Sequence, residues 1–106
     1  MTGIEARLDA ALADHMAGRF EAARRGYLEI LAADASEHRA LHLLGVLALD
    51  AGRPDLAVDL IGRAIALADG VAAYHNNLGN ALRAAGRIAA AISAFRDALS
   101  RMPDHL

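Results

Sequence analysis

Three asparagines and one arginine form the most distinctive polar group of the sequence, in a stretch that otherwise reads as helix. They are Asn76, Asn77, Asn80 and Arg83. Asparagine is disfavoured inside helices because its amide competes for backbone hydrogen bonds. The same amide has donors and an acceptor, so a row of asparagines can hold the backbone of an extended peptide. Alternatively, these amides are solvated or form local hydrogen bonds between helices. Both interpretations remain open for Asn77 and Asn80, and the second is favoured for Asn76.

Two histidines have a spacing that would allow metal binding. His38 and His42 lie four residues apart, so on a helix they could place two imidazoles on one metal ion. A zinc site needs a third ligand and usually a fourth. The sequence contains no cysteine, and its other histidines follow no related spacing. We therefore expect neither a metal site nor a cofactor, and we expect His75 to be a core histidine.

No residue pattern in the sequence indicates catalysis. Ser36 and Ser93 are not accompanied by a plausible base and orienting group, and no glycine-rich phosphate loop is present. Ser36 directly precedes a predicted helix and is expected to cap its N-terminus. The chain is predicted not to be an enzyme.

The composition limits the fold and the class of partner. Of 106 residues, 56% are hydrophobic and 4% aromatic, and alanine is abundant, which favours closely packed helices over strands. The formal net charge of −2 gives no electrostatic basis for binding nucleic acid or an anionic membrane. No stretch approaches the roughly 20 apolar residues of a membrane span. We expect an all-α, cytoplasmic protein that binds neither nucleic acid nor membranes.

A repeat of 34 residues organises the whole chain. The pair Gly-Arg recurs at this interval, at Gly18-Arg19, Gly52-Arg53 and Gly86-Arg87. Apolar residues between these pairs follow helical spacing, which predicts two helices in each unit. Each glycine stands where the first helix must end, since glycine readily adopts the left-handed conformation of a helix C-terminus.

The starts of two helices can also be read from the sequence. Pro54 fits the first turn of the helix that follows Gly52. Thr2, followed three residues later by Glu5, matches a capping box for the first helix.

The pattern of small and large residues resembles that of the tetratricopeptide repeat family. The resemblance covers residues 4–37, 38–71 and 72–105, and it is clearest in the third unit, which contains the string HNNLGNAL. That string looks most like the arrays of O-linked N-acetylglucosamine transferases and related bacterial proteins. The resemblance implies one domain over residues 1–106, a right-handed α-solenoid of six antiparallel helices of about 12–15 residues. It also implies that the bulky Ile61 and Phe95 fill the space between units.

In this family the first helix of each unit lines a concave groove, and this position carries over to ten candidate residues of the present chain. They are Leu8, Leu12, His42, Leu43, Val46, Leu49, Asn76, Asn77, Asn80 and Arg83. The groove would be apolar over its first two thirds and polar over the rest. Replacing Asn77 and Asn80 together by alanine is expected to weaken ligand binding while leaving the fold intact or slightly more stable.

The resemblance implies a protein–protein interaction module, or scaffold, that binds a peptide or helix of a partner in this groove. Two alternatives remain: a self-association module, or the non-catalytic N-terminal region of a longer enzyme such as a glycosyltransferase. Without a further helix, the last unit would expose its stacking surface, which comprises Ile92, Phe95, Leu99 and Met102. We therefore expect a homo-oligomer formed through the third repeat, or a longer array.

Overall fold

The computed structural model describes residues 3–102, and these residues form six α-helices and no strand. The helices are α1 (Ile4–Met16), α2 (Phe20–Ala33), α3 (His38–Asp50), α4 (Pro54–Leu67), α5 (Ala72–Ala84) and α6 (Ile88–Ser100). Each is 13 or 14 residues long. The prediction of an all-α solenoid of paired helices is confirmed.

The turn inside each hairpin is the reason for the repeated Gly-Arg pair. Gly18, Gly52 and Gly86 have φ angles of 80°, 79° and 80°, which side chains with a Cβ rarely adopt. The arginine after each glycine donates its backbone N–H to a carbonyl five residues earlier, at 2.8 Å in all three turns. This bond satisfies a carbonyl that the helix end leaves free, as in a Schellman motif. The glycine therefore ends the first helix of every pair.

The helix starts agree with the sequence only in part. Pro54 occupies the first turn of α4, as predicted. The prediction for Ser36 is wrong, because its hydroxyl donates to the Asp34 carboxylate at 2.7 Å. Glu37 instead caps α3 and accepts the backbone N–H of Arg39 at 3.2 Å. Thr2 lies outside the described residues, and the N-cap position of α1 is held by Gly3 without a side-chain hydrogen bond.

Small residues allow the two helices of each hairpin to pack closely. A Cβ added at Gly45 would lie 2.6 Å from Cγ1 of Ile61, and one at Gly79 would meet the ring of Phe95. Ile61 and Phe95 therefore pack within their own hairpins, against α3 and α5, and Ile61 also belongs to the core cluster that includes Tyr74 and Ala81 of the next hairpin. In the first hairpin the glycine is on the other helix, because Gly26 faces the methyl group of Ala11.

The pairing of the helices produces a concave and a convex side. The first helices of the hairpins, α1, α3 and α5, approach one another along one side of the molecule. The second helices, α2 and α4, nowhere bring their Cα atoms within 8 Å of each other over their described lengths. Close inner helices and separated outer helices curve the array, so α1, α3 and α5 line the concave side.

Candidate functional site

The concave side contains a cavity of about 240 Å³ between α1 and α3, to which α5 contributes Tyr74. Its lining includes four of the ten predicted groove residues, Leu8, Leu12, His42 and Leu43, together with Glu5, Asp9, Arg39 and Tyr74. Leu8 is buried and forms the floor, whereas Leu12 is exposed at the rim. The structure thus places Leu8, Leu12 and Leu43 of the predicted apolar part around one cavity.

The rim of this cavity is charged, with Glu5, Asp9 and Arg39 in its lining. Arg39 forms an ion pair with Glu5 of α1 and also donates from Nε to Glu37 at 2.8 Å. Asp9 lies beside them without an ion-pair partner among the described residues. The groove therefore combines an apolar floor with a rim of both charges.

Tyr74 is a groove residue that the sequence prediction missed. Its ring packs on that of His42 with 4.4 Å between centroids, and its hydroxyl is 2.7 Å from Nδ1 of His38. The residue 34 positions earlier is Ala40, so a large side chain at this point of the repeat must project onto the preceding hairpin. That size difference is the sequence signal that would have identified Tyr74.

The two histidines of α3, His38 and His42, contact different residues of α5. His38 contacts the hydroxyl of Tyr74, whereas Nε2 of His42 accepts a hydrogen bond from the side-chain amide of Asn77 at 2.8 Å. Within residues 3–102 no cluster of three or more His, Asp or Glu side chains could hold a metal ion. The i, i+4 pair therefore connects α3 to α5.

His42 is neutral at physiological pH. Its side chain is buried, and burial lowers its pKa to about 4 because it disfavours the charged imidazolium. A neutral ring can accept the Asn77 amide proton on Nε2, which a protonated ring could not do. The bond between α3 and α5 thus depends on the uncharged form of His42.

The three asparagines have three different environments. Asn77 bonds to His42, which matches the interpretation of local bonding between helices. Asn80 is partly exposed and accepts from the guanidinium of Arg83 at 3.2 Å, while Arg83 lies over the Phe95 ring, 5.9 Å from its centroid. Because such surface contacts are weak, Asn80 and Arg83 remain available to a ligand.

Asn76 does not line the cavity formed by α1 and α3. It borders a second cavity of about 450 Å³ at the end of the array, lined also by Phe95, Leu99 and Met102. Residues 34 and 68 positions earlier, His42 and Leu8, are buried beneath the following hairpin. Asn76 therefore occupies the repeat position that the following hairpin covers in the first two units, and here it borders the cavity at the end of the array.

Val46 and Leu49, the remaining predicted groove residues, lie on α3 and are partly buried. Leu49 packs against the central core. Between α1 and α3, buried His15 bonds to the carboxylate of Asp50 at 2.6 Å, a contact that the sequence did not indicate. His75 is buried as predicted and donates to the backbone carbonyl of Asp69 at 2.6 Å.

Replacing Asn77 by alanine is expected to destabilise the fold by about 1–2 kcal/mol, because the buried Nε2 of His42 loses its donor. This reverses the expectation that removing Asn77 and Asn80 together would leave the fold unharmed. Asn80→Ala is the matched control and should be neutral or slightly stabilising, since alanine is the better helix former. Urea unfolding measures the free energy of unfolding of both variants. Equal stabilities of the two variants would contradict a structural role for the Asn77–His42 bond.

Comparison with known proteins identifies the family. The family model described as Tetratricopeptide repeat matches residues 8–72 and again residues 42–105. The comparison with curated proteins found no match. Among the residues described, no helix combines the length and the apolar character required to cross a membrane.

Three solved structures illustrate the similarity. A mutant O-GlcNAc transferase of Thermobaculum terrenum is 35% identical over 99% of this chain and 21% of its own length, with a TM-score of 0.82. MamA is 23% identical over 92% of this chain, with a TM-score of 0.84. The Yersinia enterocolitica chaperone SycD, in complex with a peptide of the translocator YopD, is 19% identical over 95% of this chain, with a TM-score of 0.88.

The present chain spans 57% of the MamA chain and 77% of the SycD chain. The likeness to these two proteins concerns the fold, and the identity with the transferase concerns a small part of that enzyme. The family model, in contrast, accounts for both halves of the present sequence. This chain belongs to the tetratricopeptide repeat family.

Proposed function

We propose that the chain is a non-catalytic protein–protein interaction module that holds a peptide or helix of a partner in its concave groove. The groove comprises the exposed side of α1, α3 and α5. The observation that carries this proposal is the cavity of about 240 Å³ whose floor and walls are Leu8, Leu12, Leu43 and Tyr74. Cavities that are apolar with a few polar groups at the edge suit the side chains of a bound segment.

The polar groups around the cavity support a ligand with two kinds of contact. An apolar side chain would enter between α1 and α3, while Asn80 and Arg83 would meet backbone amides or an acidic group farther along. The SycD structure, similar in fold, contains a bound peptide of a partner protein. We further propose that residues 1–106 form one domain of three repeats, 4–37, 38–71 and 72–105, that works in the cytoplasm. It would need no cofactor.

Self-association is a second candidate, favoured by the exposed end of the array. Leu99 is 69% exposed and Met102 53%, and both border the cavity of about 450 Å³ beside α5 and α6. A large apolar surface of this kind is typical of an interface. The 35% identity with part of an O-GlcNAc transferase also suits a non-catalytic region of a longer glycosyltransferase. Sedimentation as a monomer at high concentration would count against self-association.

The groove proposal is tested once a pull-down with mass spectrometry has identified a partner. A carboxylate in the apolar part of the groove should weaken binding at least tenfold, since it must be desolvated in the complex. Val46→Asp and Leu12→Asp both place a carboxylate there. Leu12 is 36% exposed, so the carboxylate of Leu12→Asp stays solvated in the free protein. Ile88→Asp, at the exposed start of α6, is the control. Calorimetric titration that gives unchanged affinity for both groove variants would reject the groove as the binding site.

A further inference from the structure

A cavity larger than that of the groove lies on the convex side of the molecule. It measures about 470 Å³ and opens between α2 and α4, with α3 as its floor. Ligand cavities typically measure about 300–1,000 Å³. Its lining is mainly leucine and alanine, with Phe20 and Leu28 from α2 and Leu56 from α4 at the rim. Phe20, Leu28 and Leu56 are 38%, 41% and 37% exposed, so the cavity continues into an exposed apolar patch. We call this region the outer cleft.

The outer cleft differs in its lining from the corresponding gap between the second and third hairpins. Between α4 and α6, Val58 and Ala90 pack against a cluster of Leu82, Ala91 and Ala94. Pro54 and Gly62 of α4 occupy the repeat positions that Phe20 and Leu28 occupy on α2. The apolar rim of the outer cleft is therefore not a consequence of the fold alone.

The charges at the outer cleft favour an acidic ligand. Arg24 is paired with Glu21 at 3.1 Å, both on the exposed surface. Arg53 has no ion-pair partner among residues 3–102. Its counterpart Arg19 pairs with Asp14 at 2.9 Å, but the residue that corresponds to Asp14 in the second hairpin is Ala48. The outer cleft thus carries one positive charge that the protein itself does not neutralise.

We propose that the outer cleft is a second binding site, distinct from the concave groove, for an amphipathic segment of a partner with bulky apolar residues flanked by carboxylates. The apolar side chains enter between α2 and α4 and contact the α3 floor. A carboxylate beside them pairs with Arg53. Two sites on opposite sides of the array allow the module to hold two segments at once.

The test uses a fluorescein-labelled helical peptide of about 16 residues, with leucines along one face and glutamates flanking them. A second peptide has lysine in place of each glutamate, and a third has the same composition as the first without the apolar face. Fluorescence anisotropy should show the acidic amphipathic peptide binding at least tenfold more tightly than the other two. The formal net charge of the chain is −2, so non-specific attraction would favour the lysine peptide instead.

Arg53→Glu is the decisive variant. The Arg53 side chain forms no capping hydrogen bond, and a carboxylate at a helix N-terminus is favourable, so the fold should persist. The variant should bind the acidic peptide at least tenfold more weakly and the lysine peptide more tightly. Leu28→Ala should weaken the binding of both peptides. Leu12→Asp, in the concave groove, should change neither. Equal affinity for acidic and lysine peptides, no effect of Arg53→Glu, or loss of binding in Leu12→Asp would overturn the proposal.

Discussion

Replacing Gly45 with valine is expected to destabilise the protein by about 3 kcal/mol, the upper part of the range for overpacked cores. The new Cβ would lie 2.6 Å from Cγ1 of Ile61 and 3.3 Å from its backbone nitrogen. Ile61 is fully buried, so its side chain has no free space into which it could move. The strain must then separate α3 from α4. Because α3 forms the floor of the outer cleft and one wall of the groove, both sites would lose their shape.

Gly62→Val is the matched control for this prediction. Gly62 lies inside α4, and a Cβ added there meets no atom within 4 Å. The same substitution should therefore change the free energy of unfolding by only a few tenths of a kcal/mol, since glycine and valine are both modest helix formers. Urea unfolding followed by circular dichroism compares the two variants. Similar losses at both positions would show that the close approach of Gly45 to Ile61 does not limit stability.

Acidification is expected to remove about 3 kcal/mol of stability through His42. Its pKa is about 4 in the folded protein, below the ordinary value of 6.5. The unfolded chain therefore binds a proton more readily between these values, and stability falls as the pH is lowered through this window. About 2 kcal/mol of the loss should occur between about pH 7.5 and pH 5. The protonated ring would also lose the hydrogen bond from Asn77.

His42→Leu isolates this contribution from all other titrating groups. Leucine already occupies the corresponding position of the first hairpin, where Leu8 is buried, so the substitution suits the packing. The unfolding free energy of wild type and variant is measured at both pH values. The pH dependence of the variant should be smaller by about 2 kcal/mol. An unchanged difference between the two pH values would mean that His42 is not the group responsible.

Local features of the chain were predictable from the sequence because they depend on residues close together. The 34-residue phase of Gly18, Gly52 and Gly86 determines where the first helix of each pair ends, since only glycine adopts that backbone conformation without cost. Helical spacing of apolar residues determines the number and type of elements. The helix start at His38 was harder to predict, because the Asp34 carboxylate competes for the Ser36 hydroxyl and leaves the capping role to Glu37.

The roles of the polar residues were decided only by tertiary structure. The sequence places Asn76 and Asn77 side by side, yet Asn77 bonds to His42 on the neighbouring hairpin while Asn76 faces the end of the array. Repeat position shows which face of a helix a residue occupies. It does not show what the next hairpin brings against that face, and this contact determines whether an amide is bonded, buried or free.

The outer cleft and the Tyr74–His42 contact have the same origin. Phe20, Leu28 and Leu56 read as unremarkable apolar positions in the sequence, and they form one surface only because α2 and α4 stand apart on the convex side. The repeat by itself determined the helices, their ends and their order. The side chains that face each other across a gap belong to residues 30 or more positions apart in the sequence. Their sizes decided where the array is closed and where it remains open to a partner.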